Sequence, residues 1–481
     1  MAELPADATL VNGLSAARPA LIRAMNEQLL LEHIRTAGPY SRAELARVSG
    51  LSKPTVSLAL ANLERAGLVR LAGQRTGVPG RSALLYEVRP EAGFVLGLDI
   101  GLRYLRGAVA DLAGEVRARL SVAVTATSVP GRVAELVRLA DDLCARAGIA
   151  RASVTQTVIG SPGVYDPQRN LMALTGGLPG WDRPEALTSL RDAFGPALAI
   201  ENDVDAAALA ERALGHGRDA DTFAFVHIGT GIGMGLVLGG RLHRGVHGVA
   251  GEIAFMPLGD GVPAAGPWPA VPDGDRDVGV EPPINGYSGA PSGANGHAGR
   301  DDGPGADPVP GSASGTNPGT EAVSGSGSGP DGDSGPEPDV DTGVDPEEAR
   351  RRGTLEIAAA ADGIVRAARR AGMRGPVSAR SVFEAAAEGD PRAAAVVAAE
   401  ARLVASAICC VITVIDPSLI VLGGGIGQAP GFAEAVTLAL AATAPVLPEV
   451  KVSALGTEVV VDGCLAEGAS LAWNRLVAAL P

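Results

Sequence analysis

Between Gly259 and Asp345 the chain abandons every pattern that builds a core. Runs such as Gly311-Ser-Ala-Ser-Gly-Thr-Asn-Pro-Gly and Ser324-Gly-Ser-Gly-Ser-Gly-Pro hold small and turn-forming residues almost exclusively. Such a stretch buries too little apolar surface to offset the entropy of ordering. Residues 259–346 are therefore expected to be a disordered, acidic, Gly/Pro/Ser-rich insertion. A loop this long is uncommon inside a domain. Closure entropy grows only logarithmically with length, so a fold tolerates it at its surface. Whatever domain surrounds it must be assembled from both flanks, 93–258 and 347–481.

Those flanks read as strands alternating with helices. Gly93–Ile100, Arg106–Leu112 and Val116–Val124 are apolar runs separated by turn residues, and a helical pattern follows over Arg132–Ala147. Further strands fit Ser153–Ile159, Ala197–Glu201, Thr222–Ile228 and Met234–Leu238. Beyond the insertion come helices over Leu355–Ala371, Ala379–Ala387 and Arg392–Ile415, then a strand at Leu419–Leu422. This alternation predicts an α/β architecture. With 481 residues the chain has room for two or three domains.

Charge is distributed unevenly. The net −14 resolves into +3 over residues 1–93, −13 over 259–346 and −4 elsewhere. A mildly basic head therefore coexists with an acidic total, and the local field decides whether DNA can bind. The four cysteines, Cys144, Cys409, Cys410 and Cys464, form no Cys-x-x-Cys pair, which fits reduced core residues better than a disulfide or zinc site. Residues 1–10 lack a basic-then-apolar signal pattern, and the longest apolar stretch, Leu403–Ile415, falls short of the roughly 20 residues a bilayer needs. The expectation is a cytoplasmic protein with no membrane partner.

Residues 21–90 carry a different pattern, preceded by a tail (1–20) expected to be disordered. Leu21, Ile22, Met25, Leu29 and Ile34 recur at roughly helical spacing and predict one inward face. Ser41 with Glu44 forms a capping box before a helix over Arg42–Val48, with Leu45 and Val48 inward. Ser52 caps a second helix, Lys53–Arg65, with Pro54 in its first turn. Val56, Leu60 and Leu63 face inward, leaving Lys53, Thr55, Ser57, Leu58 and Asn62 outward. Two strands, Leu68-Val-Arg-Leu and Leu84-Leu-Tyr-Glu-Val, flank a Gly-rich tip carrying Arg75 and Arg81. Together these spell a winged helix-turn-helix, whose second helix reads the major groove. Ser41, Ser52, Lys53, Thr55, Ser57, Leu58, Arg75 and Arg81 are the candidate DNA contacts: hydroxyls and cations for phosphates, Thr55 and Ser57 for base edges, Leu58 for a thymine methyl, and the arginines for the minor groove or backbone. The alternative is a small helical domain whose basic residues only solvate a surface.

Three strands end in glycine turns: Leu98-Asp-Ile-Gly, Ile228-Gly-Thr-Gly-Ile-Gly-Met-Gly and Val421-Leu-Gly-Gly-Gly-Ile-Gly. Glycines let a backbone approach a ligand closely, and an aspartate at such a turn can face a metal–phosphate group. The polar run Glu201-Asn-Asp-Val-Asp opens a helix and supplies Asp203 as a candidate general base for a sugar hydroxyl. Strand corners and N-caps account for each of these features singly.

Taken together, these motifs resemble the ROK family of sugar kinases and repressors, which has the two-lobed actin-like ATPase fold. Leu98-Asp-Ile-Gly resembles its first phosphate loop and Glu201-Asn-Asp-Val-Asp its catalytic segment. Gly229-Thr-Gly-Ile-Gly-Met-Gly with Gly248-Val-Ala-Gly-Glu resembles its second phosphate loop and signature, and Val421-Leu-Gly-Gly-Gly-Ile its adenosine segment. The head, with Leu51-Ser-Lys-Pro-Thr-Val-Ser and Pro79-Gly-Arg, resembles the repressor branch. The resemblance implies a sugar shell of Asn202, Asp203, Glu252 and Glu356. It also implies a vestigial nucleotide site at Asp99, Gly101, Gly229, Thr230, Gly231, Gly423 and Gly424.

The chain departs from the family in three places. Leu102, Arg103 and Tyr104 follow Gly101 where kinases have small residues and a threonine. Phe255 stands where the family has a histidine, and Arg350-Arg-Arg-Gly-Thr-Leu-Glu replaces the Cys-rich zinc loop. No zinc site, no cofactor and no catalysis are therefore expected. The reading is a sugar-responsive DNA-binding regulator, a repressor of carbohydrate genes acting as a homodimer or higher homo-oligomer on a double-stranded operator. The alternative is an ATP-dependent sugar kinase, or a regulator that retains kinase activity.

Overall fold

The computed structural model describes residues 8–75, 83–166, 169–175, 178–257, 348 and 351–479, with backbone alone over 8–20. The expected insertion and wing residue Arg81 lie outside the described residues.

The head comprises α1 (Ala8–Ala37), β1 (Tyr40–Ser41), α2 (Arg42–Ser49), α3 (Lys53–Arg65), β2 (Val69–Arg75) and β3 (Ala83–Val88). Its sheet has the order β1-β3-β2. Both caps form as read. The Ser41 backbone N–H donates to Glu44 Oε2 at 2.9 Å, the Glu44 N–H returns to Ser41 Oγ at 3.3 Å, and Gly50 closes α2 in the left-handed region at φ 71°.

Helix α1 differs from the expectation twice. It begins at Ala8, so most of the tail expected to be disordered is helical. Its inward face is Glu27, Leu30, Leu31 and Ile34, whereas Leu21, Ile22, Met25 and Leu29 are exposed. Only Ile34 of the predicted face is buried. Glu27 lies inward because its carboxylate accepts the Asn62 amide at 2.6 Å, joining α1 to α3. That same bond turns Asn62 inward. Val48, expected inside, is exposed at the edge of α2.

The body opens with β4 (Phe94–Ile100), β5 (Tyr104–Asp111), β6 (Val116–Ala123), α4 (Val129–Arg146), β7 (Val154–Ser161), β8 (Val164–Asp166), β9 (Leu171–Ala173), α5 (Pro184–Phe194), β10 (Leu198–Asn202) and α6 (Asp203–Ala213). A second lobe follows with β11 (Phe223–Ile228), β12 (Ile232–Leu238), β13 (Arg241–Leu242), α7 (Thr354–Ala359), α8 (Ala361–Arg370), α9 (Ala379–Ala387) and α10 (Pro391–Ile415). It closes with β14 (Leu419–Gly423), α11 (Gly424–Gly427), α12 (Phe432–Thr443), β15 (Glu449–Val452) and α13 (Val459–Ala478).

The two five-stranded sheets, β6-β5-β4-β7-β10 and β13-β12-β11-β14-β15, share one topology. In each, the first strand is central, pairs antiparallel with the second, and pairs parallel with the fourth. The glycine turns after β4 and after β11 thus occupy equivalent hairpins of the two lobes. The central strands are buried along nearly their whole length, which explains their unbroken apolar runs.

Helix α10 is long and apolar enough to cross a membrane by length and composition. Its Val396, Val404, Ile408 and Ile412 nevertheless belong to the core of the second lobe.

Helix α13 ties the molecule together. Gly463 lets it lie directly on α6: a Cβ there would sit 1.7 Å from the Ala206 carbonyl oxygen. Toward its far end, Trp473 and Val477 join a single apolar cluster with Leu30, Leu31, Leu60 and Tyr86 of the head and Val95, Ala108 and Leu112 of the body. The Trp473 indole N–H donates to the Leu112 carbonyl at 3.2 Å. Head and body therefore share a core.

Candidate sugar cleft and DNA-binding head

The cleft is built from strand ends. β10 delivers Asn202, which caps α6: its Oδ1 accepts the Val204 and Asp205 N–H groups at 2.8 and 3.1 Å. Its amide donates to the Gly163 carbonyl at 2.9 Å. Asn202 is thus spent mainly on holding the β7–β8 turn against α6, and it positions Asp203 more than it offers itself to a ligand. Asp203 is half-buried at the first turn of α6, and burial raises its pKa against the opposing pull of His227. His227, near the end of β11, is pushed below the usual imidazole range by burial.

Glu252 lies in the turn leading to Ile253–Phe255. Burial, together with the negative charges of Asp203 and Glu356, raises its pKa to about 7. Glu356 projects from α7, where burial raises its pKa although Arg352 Nε donates to it at 2.9 Å. The Ile232 N–H also reaches Glu356. Gly231 permits that approach, since a Cβ there would lie 2.8 Å from Glu356 Oε2. Asp203, Glu252 and Glu356, separated in sequence by the long insertion, thus converge with His227 beside the second glycine turn. Phe255 packs against the second-lobe core.

The first glycine turn differs. Asp99, at the end of β4, is buried, and burial with the nearby Asp203 raises its pKa to about 7. Arg106 opposes this from 3.0 Å. The pair continues as a ladder: Arg106 lies 3.9 Å from Glu458, Arg119 lies 3.2 Å from Glu458, and Arg119 also pairs with Asp462. Gly101 is held on both sides, its N–H donating to the Tyr104 carbonyl at 3.1 Å and its carbonyl accepting from Arg132 at 2.9 Å. Leu102 and Tyr104 are half exposed beside it. In the second turn, the Gly229 N–H bonds to the Gly231 carbonyl at 2.9 Å and Thr230 is exposed. At the third, Gly423 leads into Gly424 at φ 78°, close against the Ile228 carbonyl. Among the described residues, no group of three or more His, Cys, Asp or Glu side chains is placed to hold a metal ion.

Sequence reasoning missed His227, Arg106, Arg352 and the Glu201–Arg244–Glu467 cluster, in which Arg244 Nε lies 3.0 and 3.1 Å from the Glu201 carboxylate oxygens. A histidine one residue before a glycine turn, inside an apolar strand, was the available signal for the first.

In the head, Lys53, Ser57 and Leu58 are exposed along the start of α3. The Thr55 hydroxyl lies 2.8 Å from Ser52 Oγ, so these two groups are partners as well as candidate contacts. Ser41 is a correction: it is buried, and its hydroxyl belongs to the capping box, so it shapes α2 and cannot face DNA. Arg75, on β2, is paired with Glu44 and anchors the wing to α2.

Residues 95–274 and 349–473 match the ROK family model, and residues 24–70 match the MarR family model. The chain is 27% identical over 237 residues to the xylose repressor of Bacillus subtilis, a match spanning 49% of this chain and 61% of that protein. The chain thus aligns with about three-fifths of the length of that relative. Among solved structures, a ROK hexokinase from Thermus thermophilus is 25% identical with a TM-score of 0.53, covering 78% of this chain and 97% of that one. A ROK family transcriptional regulator, described as a homolog of the E. coli MLC protein, has a TM-score of 0.64 at 21% identity, covering 95% of this chain and 98% of that one.

Proposed function

Because the chain belongs to the ROK family, we propose that it is a sugar-controlled transcriptional repressor whose winged head binds a double-stranded operator and whose cleft binds the effector. The observation that carries this reading is the contrast within one cleft. Asp203, Glu252 and Glu356 converge, and although Arg352 holds Glu356 and His227 faces Asp203, the charges on Glu252 are all acidic, while Asp99 of the first turn is claimed by Arg106. Paired acids suit hydroxyl donors, and a sugar presents several. Phosphoryl transfer needs positioned phosphates and metal, for which a carboxylate already locked to an arginine is a poor ligand.

The protein works as a cytoplasmic homodimer, since paired half-sites require paired heads. The sugar acts through its different affinity for two arrangements of the heads. Pentoses such as xylose are the first effectors to try, given the name carried by the Bacillus subtilis relative. The test is fluorescence anisotropy of the protein on DNA upstream of its own gene, at fixed salt, with a panel of monosaccharides, amino sugars and their phosphates. Tight binding changed by one sugar supports the reading. Binding indifferent to all sugars leaves a constitutive DNA-binding protein.

One observation favours a second reading, a sugar kinase: Asp203 keeps a raised pKa beside His227, as a general base would. An ATP-dependent phosphorylation assay that is silent for wild type, and unchanged in Asp203→Ala, disposes of it.

A further inference from the structure

Of the three cleft acids, Glu356 alone has an arginine bonded to it among the described residues. Arg352 Nε donates to Glu356 Oε1 at 2.9 Å. Nη1 of the same guanidinium lies 3.1 Å from Glu348 Oε1 and 3.5 Å from Asp362 Oδ2. One cation thus faces three carboxylates through two edges of its fork, which a planar guanidinium can do and a compact ammonium cannot. The pair is largely shielded from water, with Arg352 21% and Glu356 20% exposed.

The backbone that carries Arg352 is fixed independently of these charges. Gly353, at φ 84°, is pressed onto the turn that holds Glu252: a Cβ there would lie 2.2 Å from the Ala254 carbonyl oxygen. The Thr354 hydroxyl donates to the Met256 carbonyl at 2.7 Å. The segments bearing Glu252 and Glu356 are therefore fastened to one another beside Arg352. That packing sets like charges close together, and Glu356 is one of the groups that raise the pKa of Glu252. At Glu356 itself the Arg352 guanidinium opposes the rise that burial causes.

We propose that Arg352 is a positioning residue of the cleft: it holds Glu356 ionised and oriented, Oε1 on the guanidinium and Oε2 against the second glycine turn, so that the carboxylate meets the effector already set. The inference rests on the reading of that cleft as a sugar site. Arg352 acts through Glu356 without contacting the effector. A carboxylate offers about four lone-pair sites, so the bonds from Arg352 and from the Ile232 N–H leave it able to accept from a sugar hydroxyl. A side chain locked by supporting bonds loses less freedom on binding than one that must first be ordered. A fastener that only tied Glu348 to the fold would place no demand on Glu356.

Isothermal titration on the full-length protein tests this, with D-xylose, D-glucose and N-acetyl-D-glucosamine as probes at neutral pH. For the probe that wild type binds best, Arg352→Met is expected to weaken affinity about 10-fold or more. Glu348→Gln is expected to weaken it less than about 2-fold. In a Glu356→Gln background Arg352→Met should add no further loss, because its effect passes through that carboxylate. Arg352→Met should also move the loss of affinity on acidification to higher pH. Without its cation, Glu356 faces only Asp362 and Glu252 and takes up a proton more readily. Arg352→Lys, which keeps the charge and loses the fork, should weaken affinity less than the methionine variant does, and it carries the same comparisons if circular dichroism shows the methionine variant unfolded. Wild-type affinity in the Arg352 variants overturns the proposal. So do equal losses in the Arg352 and Glu348 variants, additive losses in the Glu356→Gln background, or an unshifted pH profile. If none of the three sugars binds wild type, the sugar reading of the cleft falls and this inference falls with it. If one binds and the Arg352 variants match wild type, this inference falls alone.

Discussion

The hairpin turns after β4 and after β11 hold the same place in two sheets of the same topology, yet their chemistry is opposite. The first is closed by charge: Asp99 is held by Arg106, which begins a ladder through Glu458 and Arg119 to Asp462 on α13. The second is bare glycine backbone, with Glu356 against it and Asp203, His227 and Glu252 around it. A turn that satisfies its own carboxylate cannot offer it to a metal–phosphate without breaking the ladder. At the second turn only Glu356 is held by an arginine, Arg352, and Glu252 has acidic neighbours alone, so a neutral polyol can approach Glu252 without breaking an ion pair. Equivalent scaffolding thus supports one open and one self-occupied turn.

The largest effect should come from breaking the closed half. Arg106→Ala leaves Asp99 buried without its partner and should destabilise the fold by about 3 kcal/mol. Arg106→Leu with Asp99→Asn should recover most of that, and urea unfolding of the three proteins checks it. Sugar and DNA binding of the double variant should match wild type, because the ladder is structural in this comparison.

Breaking the open half should cost recognition. Glu252→Ala or Glu356→Ala should each weaken sugar affinity by about 10- to 100-fold, the range for a lost charged hydrogen bond. Isothermal titration measures this, and DNA affinity without sugar should not change.

A pH series sharpens the contrast. The pKa of Glu252 is raised to about 7, so its ionised form is disfavoured in the empty cleft. In the empty protein that penalty is fully present above pH 7 and fades as pH falls toward the ordinary glutamate value. A sugar hydroxyl donating to Glu252 needs the carboxylate. Sugar affinity should therefore fall as pH drops below 7, approaching about tenfold per unit for one proton. Glu252→Gln should flatten the profile.

The smallest effect lies outside the cleft. Lys53→Ala should weaken DNA binding a few-fold at low salt and reduce the slope of log affinity against log salt by about 1, with the sugar response intact.

What could be read from sequence follows the range of the interaction. The caps at Ser41 and Ser52 are local, satisfied within three residues, and both were legible. The acids Asp203, Glu252 and Glu356 were legible because each sits in a motif. Arg106 acts through a contact across strands that no local pattern encodes, and of the contacts of His227 the sequence offered only its place before a glycine turn. The face of α1 was misread for a related reason. Apolar residues lie on both of its sides, and only the tertiary bond between Glu27 and Asn62 decides which side turns in.

The core shared by Leu30, Leu60 and Tyr86 with Trp473 and Val477 has a consequence in time. The head is translated before the body, but the cluster that holds its core is completed by residues of α13, Trp473 and Val477 among them, and α13 follows every other described element. A nascent chain that has already made α3 still lacks the tryptophan that packs beside α1. The winged head is therefore finished only when the body is, and a product that stops before α13 carries an incomplete head.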